Sequence, residues 1–356
     1  MKLNRKDFLN TLKQAEPALS TQDFIPILNH FCFDGEYLTT FNDIQSIRVK
    51  CPTDFVGGLP GQTLIKILGS YSSEFIELKY TSEKEVTVKS GRSNIRMPLL
   101  SESQFLFKPQ PLDNIPKIKL DWTFYSGLSK CLISVGSDPT HPEQTGVTMQ
   151  ISNKTLKLFS TDNQTISKCE TTCQVTEDCP SQIVLPAPFC TSLIAFVKTQ
   201  KNSDIFLYLG EGFVVAEIDK DVTLFSKIVL AEDYIPFEEK MAGHKAKDGI
   251  KPQEIPEEFI AALERSLILL SKSIDKKTTV TVEKNSMLML TETPEGESSD
   301  VVEFDNPVST KKFSFKMDPS LIKRAIPLTS EIMFLTRTVF LYDKNYTYVS
   351  AHYSEK

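Results

Sequence analysis

The chain has 356 residues, 40% of them hydrophobic, and a formal net charge of −6 from 40 Lys and Arg against 46 Asp and Glu. At roughly 100–150 residues per domain, that length exceeds one ordinary core and predicts two or three domains. Its apolar runs, such as 267–270, fall far short of the roughly 18 residues that a membrane span needs, and Met1-Lys2-Leu3-Asn4-Arg5-Lys6 has charge with no apolar segment behind it, which predicts no secretion signal.

In chain order, the first expected helix carries Phe8, Leu9 and Leu12 on one face and Lys6, Asn10 and Lys13 on another. Short alternating strands follow, then a helix over 63–70 and a strand pair at 75–78 and 85–88. Prolines at 109, 111 and 116 mark a first boundary. The spacing of Trp122, Tyr125, Leu128 and Leu132 predicts a helix over 121–133, followed by a second over 189–198 and strands at 205–208 and 214–217. A stretch with glycine and lysine over 238–256 is the second boundary. Pro256 suits a first helical turn, and Phe259, Ile260, Leu263, Leu267 and Leu270 continue that helix. Strands at 278–283 and 287–290, a helix over 319–326, and strands at 339–342 and 347–351 complete the chain. The expected fold class is α+β, with domains at 1–114, 115–243 and 244–356. Each is expected to pack two helices on an antiparallel, strand-rich half.

An internal echo supports three related parts. Asp43-Ile44-Gln45-Ser46-Ile47 recurs as Asp162-Asn163-Gln164-Thr165-Ile166, an offset of 119 residues, about a third of the chain. Each pentad ends a short apolar strand, and each leads to a Leu-Pro step (Leu59-Pro60, Leu185-Pro186) and an apolar helix. Self-similarity at a fixed period points to a scaffold built from repeats.

Catalytic and metal chemistry find no constellation. Seven cysteines in a chain this long fit a reducing, cytoplasmic compartment. Cys169, Cys173 and Cys179 are close in sequence but form no CxxC pair, and His30, His141, His244 and His352 stand at no ligand spacing, so no metal or other cofactor is expected. The glycine-rich run 56–63 lacks the lysine of a phosphate-binding loop. Asp43 and Asp162 are read as turn or cap residues. The chain is therefore not expected to be an enzyme.

Several ordered motifs carry a family resemblance. Ser90-Gly91-Arg92-Ser93 resembles the Ser-Gly-Arg-Ser turn in the first domain of bacterial β sliding clamps, the processivity subunit of the replicative DNA polymerase. Ile25-Pro26-Ile27-Leu28 is similar to that family's Leu-Pro-Ile-Leu, and Ser160-Thr161-Asp162-Asn163 stands where the family has Ala-Thr-Asp-Gly. Phe225-Ser226-Lys227 and Tyr234-Ile235-Pro236 resemble its Ser-Lys and Phe-Pro-Asp-Tyr elements. The matches are collinear over essentially the whole length. The resemblance implies a head-to-tail homodimer of three-domain subunits that closes a ring around double-stranded DNA. The class that rivals it is a non-enzymatic, β-rich viral structural or interaction protein with repeated domains.

The resemblance also implies three surfaces. A DNA-facing set on helices would be Arg5, Lys6, Lys13, Lys66, Lys130, Lys198, Lys201, Lys272, Lys323 and Arg324, with Lys276 and Lys277 nearby. Such cations would contact phosphates without reading sequence. Gln22 and Asp23 stand where the family tends to carry a DNA-touching arginine. A pocket for a short linear peptide from DNA polymerase and the clamp loader would be built from Thr161, Asn163, Gln164, Thr165, Ile166, Pro236, Lys240, Met241, Val349 and Ala351. Here Asn163 replaces a Gly and Gln164-Thr165 replaces a His-Arg pair. The subunit interface would join Phe105, Leu106 and Phe107 to Leu269 and Leu270.

Overall fold

The computed structural model describes residues 1–22, 24–152, 154–175, 179–199, 204–228, 234–242 and 250–353. Among these, one succession of elements runs three times: a strand, a helix, four strands, a helix and three strands. The first pass is β1 (Lys2–Asn4), α1 (Arg5–Ala15), β2 (His30–Phe33), β3 (Tyr37–Phe41), β4 (Gln45–Lys50), β5 (Gly57–Pro60), α2 (Gly61–Ser70), β6 (Phe75–Ser82), β7 (Glu85–Ser90) and β8 (Ser93–Pro98). The second is β9 (Lys117–Leu120), α3 (Trp122–Cys131), β10 (Gly146–Ser152), β11 (Thr155–Thr161), β12 (Thr165–Thr172), a short extra β13 (Gln174–Val175), β14 (Gln182–Pro186), α4 (Ala187–Thr199), β15 (Ile205–Gly210), β16 (Phe213–Ile218) and β17 (Val222–Lys227). After α5 (Phe237–Ala242) the third pass is β18 (Gln253–Glu254), α6 (Glu257–Leu269), β19 (Thr278–Val282), β20 (Ser286–Thr293), β21 (Gly296–Glu303), β22 (Phe313–Met317), α7 (Pro319–Lys323), β23 (Glu331–Phe334), β24 (Thr338–Asp343) and β25 (Tyr346–Ala351).

Local chemistry sets the helix limits. Asn4 caps α1, its Oδ1 accepting from the Lys6 and Asp7 N–H groups at 3.0 and 3.3 Å, and Phe8, Leu12 and Ala15 turn inward. Asp318 caps α7 by accepting from the Ser320 N–H at 2.8 Å, with Pro319 at the first helical position. The expected helix over 319–326 stops early because Pro327 cannot continue it, and a tight turn at Ile326–Leu328 takes over. The helix α3 also stops short of its expected end, at Cys131, and passes into a turn at Leu132–Ser134 with no proline involved.

The chain forms two compact units. Unit 1 comprises Met1–Asp121, Cys173–Pro180 and Pro188–Val229; unit 2 comprises Trp122–Thr172, Ser181–Ala187 and Leu230–Lys356. Unit 1 holds a nine-stranded antiparallel sheet, β13-β9-β15-β16-β17-β4-β3-β2-β5, and a four-stranded one, β1-β6-β7-β8. Unit 2 holds an eight-stranded sheet, β14-β10-β11-β12-β25-β24-β23-β18, and a four-stranded one, β21-β20-β19-β22. Each large sheet arises where an outer strand of one pass pairs with the last strand of the next: β4 with β17 and β12 with β25. The small sheets end in outer strands of the same two kinds, β8 and β21. Phe8, Leu12, Phe33, Leu38 and Leu64 are buried in unit 1, and Phe124, Leu128, Leu158, Phe259 and Phe334 in unit 2.

The internal echo has a structural counterpart with its register moved by one residue. Asn42 Oδ1 accepts from the Ile44 and Gln45 N–H groups at 3.2 and 2.8 Å, and Asp162 Oδ1 accepts from those of Gln164 and Thr165 at 3.1 and 2.7 Å. The left-handed residue that follows is Asp43 (φ 76°) in one hairpin and Asn163 (φ 67°) in the other. Asn42 therefore matches Asp162, and Asp43 matches Asn163. The shared side-chain job, closing an Asx turn, fixes the correspondence rather than the shared letter.

Candidate functional site

An open cleft of about 810 Å³ lies in unit 2. Its walls include Thr161, Asn163, Gln164, Ile166, Lys240, Met241, Val349 and Ala351 from the expected pocket. Beside them stand residues for which the sequence offered no signal: Ser314 and Phe315 of β22, Thr336, Arg337 and Thr338 at the β23–β24 turn, and His352 and Tyr353 after β25. The floor is apolar. Met333, Phe340 and Val349 are buried together, with Ile166, Met241, Leu335 and Tyr342 packed around them. Ile166 and Val349 are direct cross-strand partners where β12 meets β25.

The remaining two expected pocket residues have other work. Thr165 is buried, its Oγ1 donating to Asp162 Oδ1 at 2.8 Å. Pro236 is exposed, and its carbonyl accepts from the Lys240 N–H at 3.0 Å to start the turn of α5.

Ring stacking and ion pairs hold α5 as a wall. The Phe237 ring stacks on Phe159 at 4.9 Å and 11°. Glu238 Oε1 accepts from Lys157 Nζ at 2.8 Å and from Lys168 Nζ at 3.3 Å. The hydrogen bond from Lys157 holds the Glu238 carboxyl below the usual carboxylate range.

The opposite rim is built on His352. Its ring stacks on Phe315 at 3.5 Å, and Nε2 lies 3.1 Å from the Leu335 carbonyl oxygen. Burial pushes its pKa down to about 4, so the imidazole is neutral near pH 7. Lys240 and Arg337 are exposed on the rim, while Thr338 Oγ1 is buried with no hydrogen-bond partner among the described residues. An apolar floor with a few polar rim groups can take the apolar side chains of a short peptide.

The expected DNA-facing cations divide by environment. Lys6, Lys13, Lys66 and Lys198 are exposed on α1, α2 and α4, and among the described residues none of them is ion-paired. Lys272 is exposed but pairs with Glu295 at 3.1 Å, and Lys323 pairs with Glu264. The other three are engaged internally. Arg5 donates to the Ser73 and Leu68 carbonyls at 2.8 and 3.1 Å, closing the C-terminal end of α2. Lys130 pairs with Asp343 at 2.8 Å over the Tyr346 ring. Arg324 binds Asp162 Oδ2, Thr165 Oγ1 and the Tyr348 hydroxyl. Lys201 and Asp23 lie outside the described residues.

The expected interface residues also separate. Phe107 sits between two rings of its own unit, 5.3 Å from Phe41 and 5.2 Å from Phe225. Phe105 packs on Ile27, Leu28 and Cys32, while Leu106 is 55% exposed. Leu270 is 2% exposed, whereas Leu269 is half-buried beside Gly296 at the start of β21.

A model of the central domain of the DNA polymerase III beta subunit matches residues 122–232. A curated beta sliding clamp from Chlamydia muridarum is 20% identical over 215 residues, which cover 58% of this chain and 58% of that protein. One from Chlamydia trachomatis is 20% identical over 58% of this chain and 51% of its own length. The chain thus matches little more than half the length of these curated relatives. Among solved structures, the Bacillus subtilis DNA polymerase sliding clamp aligns over 100% of this chain and 99% of its own, with a TM-score of 0.84 at 16% identity. A putative DNA polymerase III beta subunit from Eubacterium rectale gives 0.85 at 14% identity over 99% of each chain. These likenesses establish the fold, and they do not favour the reading as a viral structural protein.

Proposed function

We propose, for a chain whose residues 122–232 match the model of the DNA polymerase III beta subunit central domain and whose whole length carries the sliding-clamp fold, that it is a sliding clamp: a non-catalytic ring that encircles duplex DNA and tethers a polymerase. Three domains, at 1–114, 115–243 and 244–356, would each contribute one pass of the repeated elements to such a ring.

The observation that carries this reading is the pattern of strand junctions. Within the chain, β4 pairs with β17 and β12 with β25. The third junction of that kind would join β21 to β8, and both are edge strands. An exposed edge presents unpaired backbone groups that another chain can pair. A second copy supplies β8 to β21 and β21 to β8, a heterologous contact that closes after two subunits. Charge favours it: Arg92 in the turn before β8 and Arg96 on β8 are positive, while β21 carries Glu297, Glu303 and Asp300, the last paired with Arg265 of its own unit. Leu269 would sit at the rim of this junction; Phe107 and Leu270 would support it from within their own units.

Lys6, Lys13, Lys66 and Lys198 are the cations best placed to attract phosphates, joined by Lys272. Contacts of this type hold duplex without reading sequence and weaken with salt, as sliding requires. The cleft around Ile166 and Val349 would take a short apolar peptide from a polymerase or a clamp loader. Light scattering tests the assembly: the reading expects a particle of twice the chain mass, and a monomer at every concentration would contradict it.

A further inference from the structure

Unit 1 contains a second copy of the cleft wall. The Asx turns match Asn42 to Asp162, so Phe41 corresponds to Thr161 and Ser46 to Ile166. The neighbouring strand agrees: Ser46 faces Phe225 where β4 meets β17, just as Ile166 faces Val349 where β12 meets β25. In unit 2 the wall of Thr161, Ile166 and Val349 opens onto about 810 Å³. In unit 1 the equivalent place is taken by Phe107, whose ring lies 5.3 Å from Phe41 and 5.2 Å from Phe225. What remains beside it is a cavity of about 240 Å³, lined partly by Phe105, Leu106 and Phe107 themselves.

The segment that carries Phe107 behaves like a bound peptide. Residues 105–112 form no helix or strand. Among the described residues, Leu106, Phe107 and Lys108 make no backbone–backbone hydrogen bond, and Pro109 and Pro111 have no N–H to donate. The segment is therefore held by its side chains, Phe105 on the Ile27, Leu28 and Cys32 cluster and Phe107 in the aromatic slot. A segment held this way opens locally at lower free energy than a strand within a sheet.

We propose that Phe105–Phe107 is the resident ligand of a second, closed peptide cleft, with Phe107 as its plug. Displacing the plug exposes a site for the same class of short apolar peptide. This rests on reading the unit 2 cleft as a peptide site.

The probe is a synthetic peptide copying residues 103–110, Ser-Gln-Phe-Leu-Phe-Lys-Pro-Gln. Calorimetric titration is expected to give one peptide per chain for the native protein and two for Phe107→Ala. Adding Ser46→Arg to Phe107→Ala, which fills the opened slot, returns the count to one. One peptide on both the native protein and a folded Phe107→Ala overturns the plug and leaves the unit 2 reading intact. None on the native protein and one on Phe107→Ala, lost with Ser46→Arg, supports the plug while removing the unit 2 reading. Should Phe107→Ala not fold, hydrogen exchange on the native protein decides. Saturating peptide is expected to trap the opened segment and speed exchange of the Phe105 amide, which donates to the Glu102 carbonyl at 2.9 Å in the closed state; unchanged exchange overturns the proposal.

Discussion

Arg324 Nη2 lies 2.7 Å from Asp162 Oδ2, tying the end of α7 to the turn that walls the unit 2 cleft. The same guanidinium donates to Thr165 Oγ1 at 2.6 Å and to the Tyr348 hydroxyl at 3.1 Å. Arg324→Ala leaves three acceptors without their donor, which costs on the order of 1–3 kcal/mol. Denaturant unfolding is expected to register that loss together with weaker peptide binding. Arg324→Lys is expected to recover only part of it, since an ammonium lacks the planar fork. A fully stable Arg324→Ala that fails only in DNA binding would place the arginine on the DNA surface instead.

Thr338 points the other way. Its buried Oγ1 has no hydrogen-bond partner among the described residues, so exchanging the hydroxyl for a methyl removes an unmet polar group. Thr338→Val is expected to be neutral or stabilising by up to about 1 kcal/mol, read as a rise in the melting temperature. A clear loss of stability would mean that the hydroxyl is satisfied in solution.

His352 makes stability fall in mild acid. Burial lowers its folded-state pKa to about 4, below the ordinary histidine value of 6.5. Between those two values the unfolded chain binds the proton and the folded chain does not, so unfolding becomes easier as pH drops from about 6.5 to about 4. Below about 4 both states are protonated and the contribution levels off. Other groups titrate as well, so the measurement is the difference between native and His352→Phe unfolding free energies across pH 4–7. The difference is expected to change through that window; a flat difference would contradict the burial.

On the proposed DNA-facing surface, Lys6, Lys13, Lys66 and Lys198 should act through charge alone. Reversing any one to Glu is expected to weaken DNA binding, and the loss of each lysine that touches phosphate makes the salt dependence shallower by about 0.9. Subunit count should stay as it is. Lys130→Gln serves as the contrast: its Asp343 pair predicts reduced stability with an unchanged salt slope.

At the β8 edge, Arg96→Glu would face Glu297, Asp300 and Glu303 with like charge. It is expected to shift light-scattering mass toward the monomer while the circular dichroism spectrum stays native. An unchanged dimer would remove β8 from the contact.

The sequence disclosed what local pattern encodes. The apolar stripe of Phe8 and Leu12, the proline before Phe259 and the hairpins at 75–90 and 205–218 all follow from nearest neighbours along the chain. The β4–β17 and β12–β25 junctions were invisible to it, because strands more than 170 residues apart leave no periodic mark on one another. Most of the cleft was legible through resemblance, but Phe315 and His352 were missed because a stacked ring pair has no sequence spacing. Lys130 and Arg324 look like any other helix-borne cation until Asp343 and Asp162 are placed beside them. Phe107 looked like a residue in search of a partner chain, and the structure gives it Phe41 and Phe225.

The sharpest measurement uses topology. The protein is loaded onto nicked circular DNA with a clamp loader, and bound protein is followed before and after a single restriction cut. A sliding clamp stays on the intact circle at a salt concentration that abolishes simple binding, then runs off the ends once the circle is opened. Equal retention on cut and uncut DNA would contradict the ring.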